Sequence, residues 1–153
     1  MNWALAFKKN LPLPFEWKLA GYDIIDSEDK FVSRVVELLC EEETKIVRYL
    51  IGDIGGLMGI SGKKVLVPAN LVTRAGSGQV IASTTLEMIL DSPPVYDPEN
   101  PTSEEESAIF SHYEARPYWD RVNVETSMEK AGKAENNSES IEIEGMEKDE
   151  EDN

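Results

Sequence analysis

The stretch IVRYLIGDI, residues 46–54, is the segment of the chain that says most about its fold. It is rich in β-branched and aromatic residues, the types that are enriched in strands. Alternate residues of an extended chain point to opposite faces, and both faces are apolar here: Val47, Tyr49 and Ile51 on one, Ile46, Leu50 and Ile54 on the other. The pattern predicts a strand that is covered on both sides.

Short strand-like segments lie on either side of this stretch. Two apolar residues precede a polar turn at Asp26–Lys30, and FVSRVVELLCEE runs from Phe31 to Glu42. VLVP at residues 65–68 predicts another short strand, and NLVTRAGSGQVIAS at residues 70–83 predicts a hairpin with a glycine-rich tip. Five or six short strands at close spacing indicate a mainly β fold, a small antiparallel barrel or sandwich.

The second half of the chain predicts helices and a stiff connection. TTLEMIL favours one or two helical turns with Thr84 or Thr85 as N-cap, and SPPVYDP (residues 92–98) is excluded from helices and central strands by its three prolines. Beyond it, NPTSEEESAIFSHY has capping-box spacings and an apolar face, which predict a short amphipathic helix. Such a helix is unstable alone in water, so we expect the proline-rich strap to guide it, and Tyr118–Trp119, onto the strand domain.

Charge is unevenly distributed along the 153 residues. Residues 1–98 carry 10 Lys/Arg and 13 Asp/Glu, whereas residues 99–153 carry 5 and 17, which accounts for most of the net charge of −15. Residues 122–153 contain no aromatic residue, and their composition predicts a disordered acidic tail. The predicted organisation is an N-terminal segment (1–18), a barrel (19–98), a strap-linked helix (99–121) and the tail (122–153). Direct nucleic-acid binding is not expected for so acidic a chain.

The N-terminal segment combines Trp3, Phe7, Phe15 and Trp17 with two lysines, a mixture typical of membrane surfaces as well as of a domain's own core. We prefer the core, and keep peripheral membrane contact through residues 1–17 as an alternative. No stretch approaches the roughly 20 apolar residues that span a bilayer, and the single Cys40 fits a reducing compartment. The expected location is the cytoplasm, with a membrane-peripheral position as the other option.

The chain offers few groups for catalysis. His112 is the one histidine, and Cys40 lies in the apolar run VVELLC, so each is more consistent with packing than with chemistry. Asp23, Asp26, Glu28 and Asp29 form a carboxylate cluster, but their spacing does not match a calcium loop. GGLMGISGKK lacks the Ser/Thr of a phosphate-binding loop and precedes a strand. We predict no catalytic residue, no cofactor and no metal site.

The longest patterns resemble the PRC-barrel family. They are LAGYDIIDSEDKFVSRVVELLCEEETKIVRYLIGDIGG, then KKVLVPANLV, and finally DSPPVYDPENPTSEEESAIFSHYEARPYW, which together cover about residues 19–119. The last is similar to the segment that follows the barrel in relatives of the photosynthetic reaction-centre H subunit. The resemblance implies a small antiparallel β-barrel that serves as a binding module. The 153 residues include neither a counterpart of the H subunit's membrane helix nor the N-terminal domain of the ribosome maturation factor, another member of the family.

The expected function is therefore a non-catalytic adaptor that binds a protein partner on a larger assembly, of the reaction-centre H type. A ribosome-maturation-like role and a cation- or ligand-binding regulator are the alternatives, and pairing of exposed edge strands leaves a homodimer open. The predicted partner-binding residues lie on the glycine-rich loop and at the end of the domain: Asp53, Leu57, Met58, Lys63, Lys64, Tyr118 and Trp119.

Overall fold

The computed structural model describes residues 2–55 and 62–120. The chain divides into two units, Met1–Ala115 and Arg116–Asn153, and every helix and strand below belongs to the first. The predicted acidic tail and the loop residues Leu57 and Met58 lie outside the described residues.

Within the described residues the regular structure is mainly β, as predicted. The strands are β1 (Trp3–Leu5), β2 (Asp23–Ile25), β3 (Phe31–Arg34), β4 (Glu37–Glu41), β5 (Val47–Ile54), β6 (Lys63–Pro68), β7 (Val72–Ala75) and β8 (Gln79–Ala82). The helices are α1 (Leu86–Leu90) and α2 (Ser103–Tyr113), with short 3₁₀ turns at Phe15–Trp17 and Ala69–Leu71.

The strands form two four-stranded sheets, where the sequence predicted a small antiparallel barrel or sandwich. Their orders are β1-β4-β5-β6 and β3-β2-β8-β7, and among the described residues no ladder joins one sheet to the other. The pairing of β2 with β8 is parallel, because the intervening chain crosses into the first sheet and returns. The prediction of a small, mainly β domain is confirmed, whereas no closed barrel is found among the described residues and one strand pair is parallel.

The two sheets meet at a corner. There, single hydrogen bonds, one of them to a side chain, take the place of a regular backbone ladder between strands. The chain passes from β3 to β4 through Val36, whose N–H donates to the carbonyl oxygen of Ile51 at 2.8 Å. The N–H of Asp53 donates to the Ser33 hydroxyl at 2.9 Å instead of to a backbone carbonyl. A Cβ at Gly52 would lie 3.1 Å from the Ser33 hydroxyl oxygen, so the corner needs glycine for this close approach.

Strand β5 lies inside the first sheet, between β4 and β6, and is covered on both faces as predicted. Val47, Tyr49 and Ile51 on one face and Leu50 on the other are all buried. Ile46 is an exception: it precedes the strand, follows Lys45 in a left-handed conformation, and is 44% exposed.

The predicted hairpin and short helix are confirmed. Strands β7 and β8 pair antiparallel, with Ser77 and Gly78 at positive φ in the connecting turn. Helix α1 begins after Thr85, whose hydroxyl accepts a hydrogen bond from the Met88 N–H at 3.1 Å.

Helix α2 packs its apolar face against β5. Thr102 and Glu105 form the complete capping box that the sequence predicted. The Phe110 and Tyr49 ring centroids lie 5.9 Å apart, and the Tyr49 hydroxyl donates to the carboxylate of Glu106 at 2.7 Å. Glu106 is buried. It contributes a hydrogen bond to the interface between α2 and β5, and it is also one of the acidic residues in the first turn of the helix.

The strap between the helices has no regular structure but has specific contacts. The Tyr96 N–H donates to Glu105 at 3.0 Å, whereas the Tyr96 side chain is 97% exposed. Ser92 is buried, and its carbonyl oxygen accepts from Lys63 Nζ at 2.8 Å; burial raises the pKa of the Tyr113 phenol to about 12. The strap is therefore fixed at both of its ends.

The N-terminal segment adds an edge strand to the first sheet. β1 pairs antiparallel with β4, and the Trp3 ring lies 5.9 Å from that of Tyr49. None of the helices in the described part of the chain combines the length and the apolar character that crossing a bilayer requires.

Phe110→Ala should lower the free energy of unfolding by about 3–5 kcal/mol, because it leaves a cavity between α2 and β5. Urea denaturation of the full chain measures the loss, with Ser111→Ala, an exposed position of the same helix, as the control. Equal stability of the two variants would show that α2 contributes no packing energy to the strands.

Candidate docking surface

The described residues of the predicted loop site lie at the end of the β5–β6 hairpin where the connecting loop begins and ends. Asp53 pairs in register with Lys64, and Ile54 pairs with Lys63. The strands therefore bring Asp53, Lys63 and Lys64 together, as the sequence suggested.

Lys63 has a structural role that the sequence did not indicate. Its Nζ donates to the carbonyl oxygens of Leu90 at 2.6 Å and Ser92 at 2.8 Å, at the C-terminal end of α1. A cation at this position complements the carbonyls that a helix end leaves unpaired. Lys64, on the opposite face of the strand, is exposed and available to a partner.

Tyr118 and Trp119 belong to the second unit, Arg116–Asn153. Their rings meet edge to face with centroids 4.9 Å apart, and Trp119 is 43% exposed.

The carboxylate turn after β2 has a structural core. One oxygen of Asp26 accepts from the N–H groups of Glu28 (2.8 Å) and Lys30 (2.7 Å), and the other accepts from that of Leu86 (2.7 Å). Burial alone would raise the pKa of Asp26, but these backbone donors favour the carboxylate and lower the pKa below its ordinary value. Asp26 thereby joins the β2–β3 turn to the start of α1.

An ammonium group already lies among the carboxylates that could hold a cation. Asp26, Glu28 and Glu87 place oxygens within 4.8 Å of one another. Lys30 Nζ lies 2.8 Å from Glu87 and 3.3 Å from Glu28, and these hydrogen bonds raise the pKa of the lysine. The arrangement is a salt-bridged turn, which does not favour the cation-regulator alternative. Sequence reasoning missed Glu87 because this residue is far from the turn in sequence and is brought next to it by the packing of α1.

His112 and Cys40 are both engaged in packing. His112 Nε2 lies 2.7 Å from the Met88 carbonyl oxygen, so this nitrogen carries a proton and donates it. Burial raises the pKa of the Cys40 thiol to about 11, and nearby Glu37 adds to the shift. Neither group is poised as a base or a nucleophile.

A cleft in the N-terminal segment was missed by sequence reasoning. It has a volume of about 560 Å³, and its lining comes from residues 6–20 alone. The apolar part of that lining includes Ala6, Phe7, Leu11, Pro12, Leu13 and Leu19. It also includes Lys18, and no acidic residue contributes to the lining.

Glu37, at the start of β4, holds one side of this cleft. Its buried carboxylate accepts from the backbone N–H groups of Phe7 at 2.7 Å and Lys8 at 2.9 Å, and from its neighbour Leu38 at 2.9 Å. The turn that follows reverses the chain at Asn10, which has a φ of 54°, so that the Leu11 N–H donates to the Ala6 carbonyl at 2.9 Å.

Arg74, on β7, anchors the chain between the lining residues Leu13 and Lys18. Its guanidinium lies over the ring of Phe15, 3.7 Å from the centroid, and 4.9 Å from that of Tyr22. It also donates to the Phe15 carbonyl oxygen and to the Tyr22 hydroxyl. The residues between these two anchors, including Leu11 and Leu13, are thus held in place by both sheets.

The family model of the PRC-barrel domain matches residues 18–89, and this part of the chain belongs to the PRC-barrel family. The match includes strands β2 to β8 and ends within α1, so β1, the strap and α2 lie beyond it. The family assignment made from the sequence is confirmed. A comparison with curated proteins found no match to the chain.

Glu37→Gln should lower the free energy of unfolding by about 1.5–3 kcal/mol, because the amide replaces an anionic acceptor of three backbone N–H groups. Hydrogen exchange of the Phe7 and Lys8 amides should also accelerate. The control is Glu42→Gln, at an exposed position. If both variants unfold alike and exchange is unchanged, the carboxylate does not anchor the N-terminal turn.

Asp26→Asn should destabilise the protein at neutral pH, and the difference from the wild type should shrink at low pH. Because the folded pKa lies below the ordinary value of 3.8, the stabilisation is fully present above that value and is lost as the pH falls through the folded pKa. Denaturation curves across this range measure the difference, with Asp29→Asn, an exposed position of the same turn, as the control. A difference that does not change with pH would contradict this account.

Proposed function

We propose that this protein is a non-catalytic PRC-barrel module that docks on a larger protein assembly as an adaptor. The observation that carries the proposal is the apolar cleft of the N-terminal segment, held from one sheet by Glu37 and from the other by Arg74. A preformed apolar concavity is the usual form of a binding site. The family assignment of residues 18–89 adds support, because a PRC-barrel domain suggests a non-catalytic module.

The state of the chemically capable side chains supports the non-catalytic part of the proposal. In the described part of the chain, Asp26 is bound by backbone donors, Lys30 by two glutamates and His112 by a carbonyl oxygen. Catalysis by acid, base or nucleophile needs such groups to converge on a space that a substrate can enter. These side chains instead link one element of the fold to another.

The assembly that we propose is of the reaction-centre H type, at a membrane. The support is the resemblance of residues 91–119 to the segment that follows the barrel in H-subunit relatives. In this proposal the contact is made to a protein component of the assembly, through the cleft and through the exposed hairpin face at Lys64. The ribosomal alternative has only the family resemblance in its favour.

A photo-reactive amino acid at Leu13 or at Lys64 should cross-link the full chain to a component of a large complex in its native cells. The same substitution at Thr73, an exposed position on β7, is the control. Gradient fractionation should place the adducts with membranes rather than with ribosomes. The proposal fails if the chain sediments alone and yields only adducts with itself, or if Thr73 gives the same adducts. Adducts in the ribosome fractions would favour the ribosomal role.

A further inference from the structure

We infer that the N-terminal cleft binds an acidic peptide segment that carries apolar side chains. This inference rests on the proposed adaptor function and names the chemistry of the partner. It follows from three properties of the cleft: its apolar lining, the sign of the charge around it, and its fixed shape.

The lining requires apolar side chains in the occupant. Phe7, Leu11 and Leu13 are only half-buried, although they contribute to the apolar surface of the cleft. Covering such surface is favourable by roughly 25 cal/mol per Å². A volume of about 560 Å³ is in the range of sites that enclose several side-chain groups, and too large for a single methyl-sized anchor.

The charge around the cleft requires acidic groups in the occupant. Residues 2–22 contain three lysines and one glutamate, whereas the whole chain has a net charge of −15. Lys18 contributes to the lining, and Lys8 and Lys9 lie in the exposed turn between the lining residues Phe7 and Asn10. A basic segment on an acidic protein selects locally for negative partners, since exposed charges act over about 10 Å at ordinary salt concentrations.

The shape of the cleft is set before any partner arrives. The carboxylate of Glu37 fixes the Phe7–Lys8 turn, and the guanidinium of Arg74 fixes Phe15. A site held in this way loses little conformational freedom on binding, so more of the contact energy appears as affinity.

A peptide fits these properties better than an anionic bilayer does. A bilayer surface cannot fill a concave cleft whose lining comes from residues 6–20 alone. A peptide segment enters the cleft and meets the lysines at close range. Lipid contact through residues 1–17 is therefore the competing outcome of the test.

The test is selection of a random peptide library, displayed on phage, against the immobilised full-length chain. Enriched peptides should combine Asp or Glu with Leu, Ile, Phe or Trp. As synthetic fluorescent peptides they should bind more weakly at about 200 mM than at about 50 mM salt. Enrichment of neutral or basic peptides, or no enrichment, overturns the inference.

Two single-residue variants test whether the selected peptides bind in the cleft. Lys18→Glu should weaken the selected peptides about three- to tenfold, and Leu13→Ser should weaken them without changing the salt dependence. The control is Lys45→Glu, the same charge reversal at an exposed lysine outside the cleft, which should leave affinity unchanged. Thermal melting confirms that each variant folds. Affinity that is unaffected by both cleft variants overturns the inference.

Vesicles of phosphatidylserine and phosphatidylcholine provide the second arm. The full chain should not sediment with them at the salt concentrations at which it binds peptides. Vesicle binding that Lys18→Glu abolishes, in the absence of peptide binding, assigns the cleft to lipid and overturns the inference. If Leu13 cross-links to a protein of the assembly while acidic peptides fail to bind, the adaptor function stands and only the peptide chemistry is wrong.

Discussion

The burial of Tyr49 is the constraint on which most of the first unit depends. Its ring contacts Trp3 of the N-terminal strand and Phe110 of α2, while its hydroxyl donates to the buried carboxylate of Glu106. One side chain of the central strand therefore binds both a segment before the matched domain and a helix after it. A buried phenol needs an acceptor, because an unmade hydrogen bond in the interior is costly. Glu106 supplies it, which ties the position of α2 to the register of β5.

Carboxylates join distant segments elsewhere in the fold as well. Asp26 connects the β2–β3 turn to the start of α1 through three backbone N–H groups, and Glu37 connects β4 to the turn before the cleft. An anionic acceptor bound by several backbone donors makes stronger hydrogen bonds than a neutral one. These two carboxylates therefore connect segments of the chain that are distant in sequence. Acidity by itself was therefore a poor guide to a cation site.

The cleft of the N-terminal segment shows how side chains that are distant in sequence shape one surface of the molecule. Its lining belongs to one short segment of the chain, but its shape is imposed by residues of both sheets, Glu37 on β4 and Arg74 on β7. The segment alone would have no reason to keep an open apolar concavity in water, because collapse would bury the same side chains. In the proposed function, this basic and apolar cleft recognises an extended partner segment, and the exposed face of the β5–β6 hairpin at Lys64 contacts a second surface.

The sequence by itself determined the family, the β-rich class and the local elements whose signals are short-range. The two-sided burial of β5, the Thr85 cap, the hairpin turn and the Thr102–Glu105 capping box all depend on residues within a few positions of one another. Tertiary structure alone decided that the strands form two sheets with a parallel β2–β8 pair, that Lys63 caps α1 and that Glu37 shapes the N-terminal cleft. Each of these depends on groups that are 27 or more residues apart in the chain. Which donors and acceptors meet over such separations is determined by how the elements pack, and spacing along the chain does not encode it.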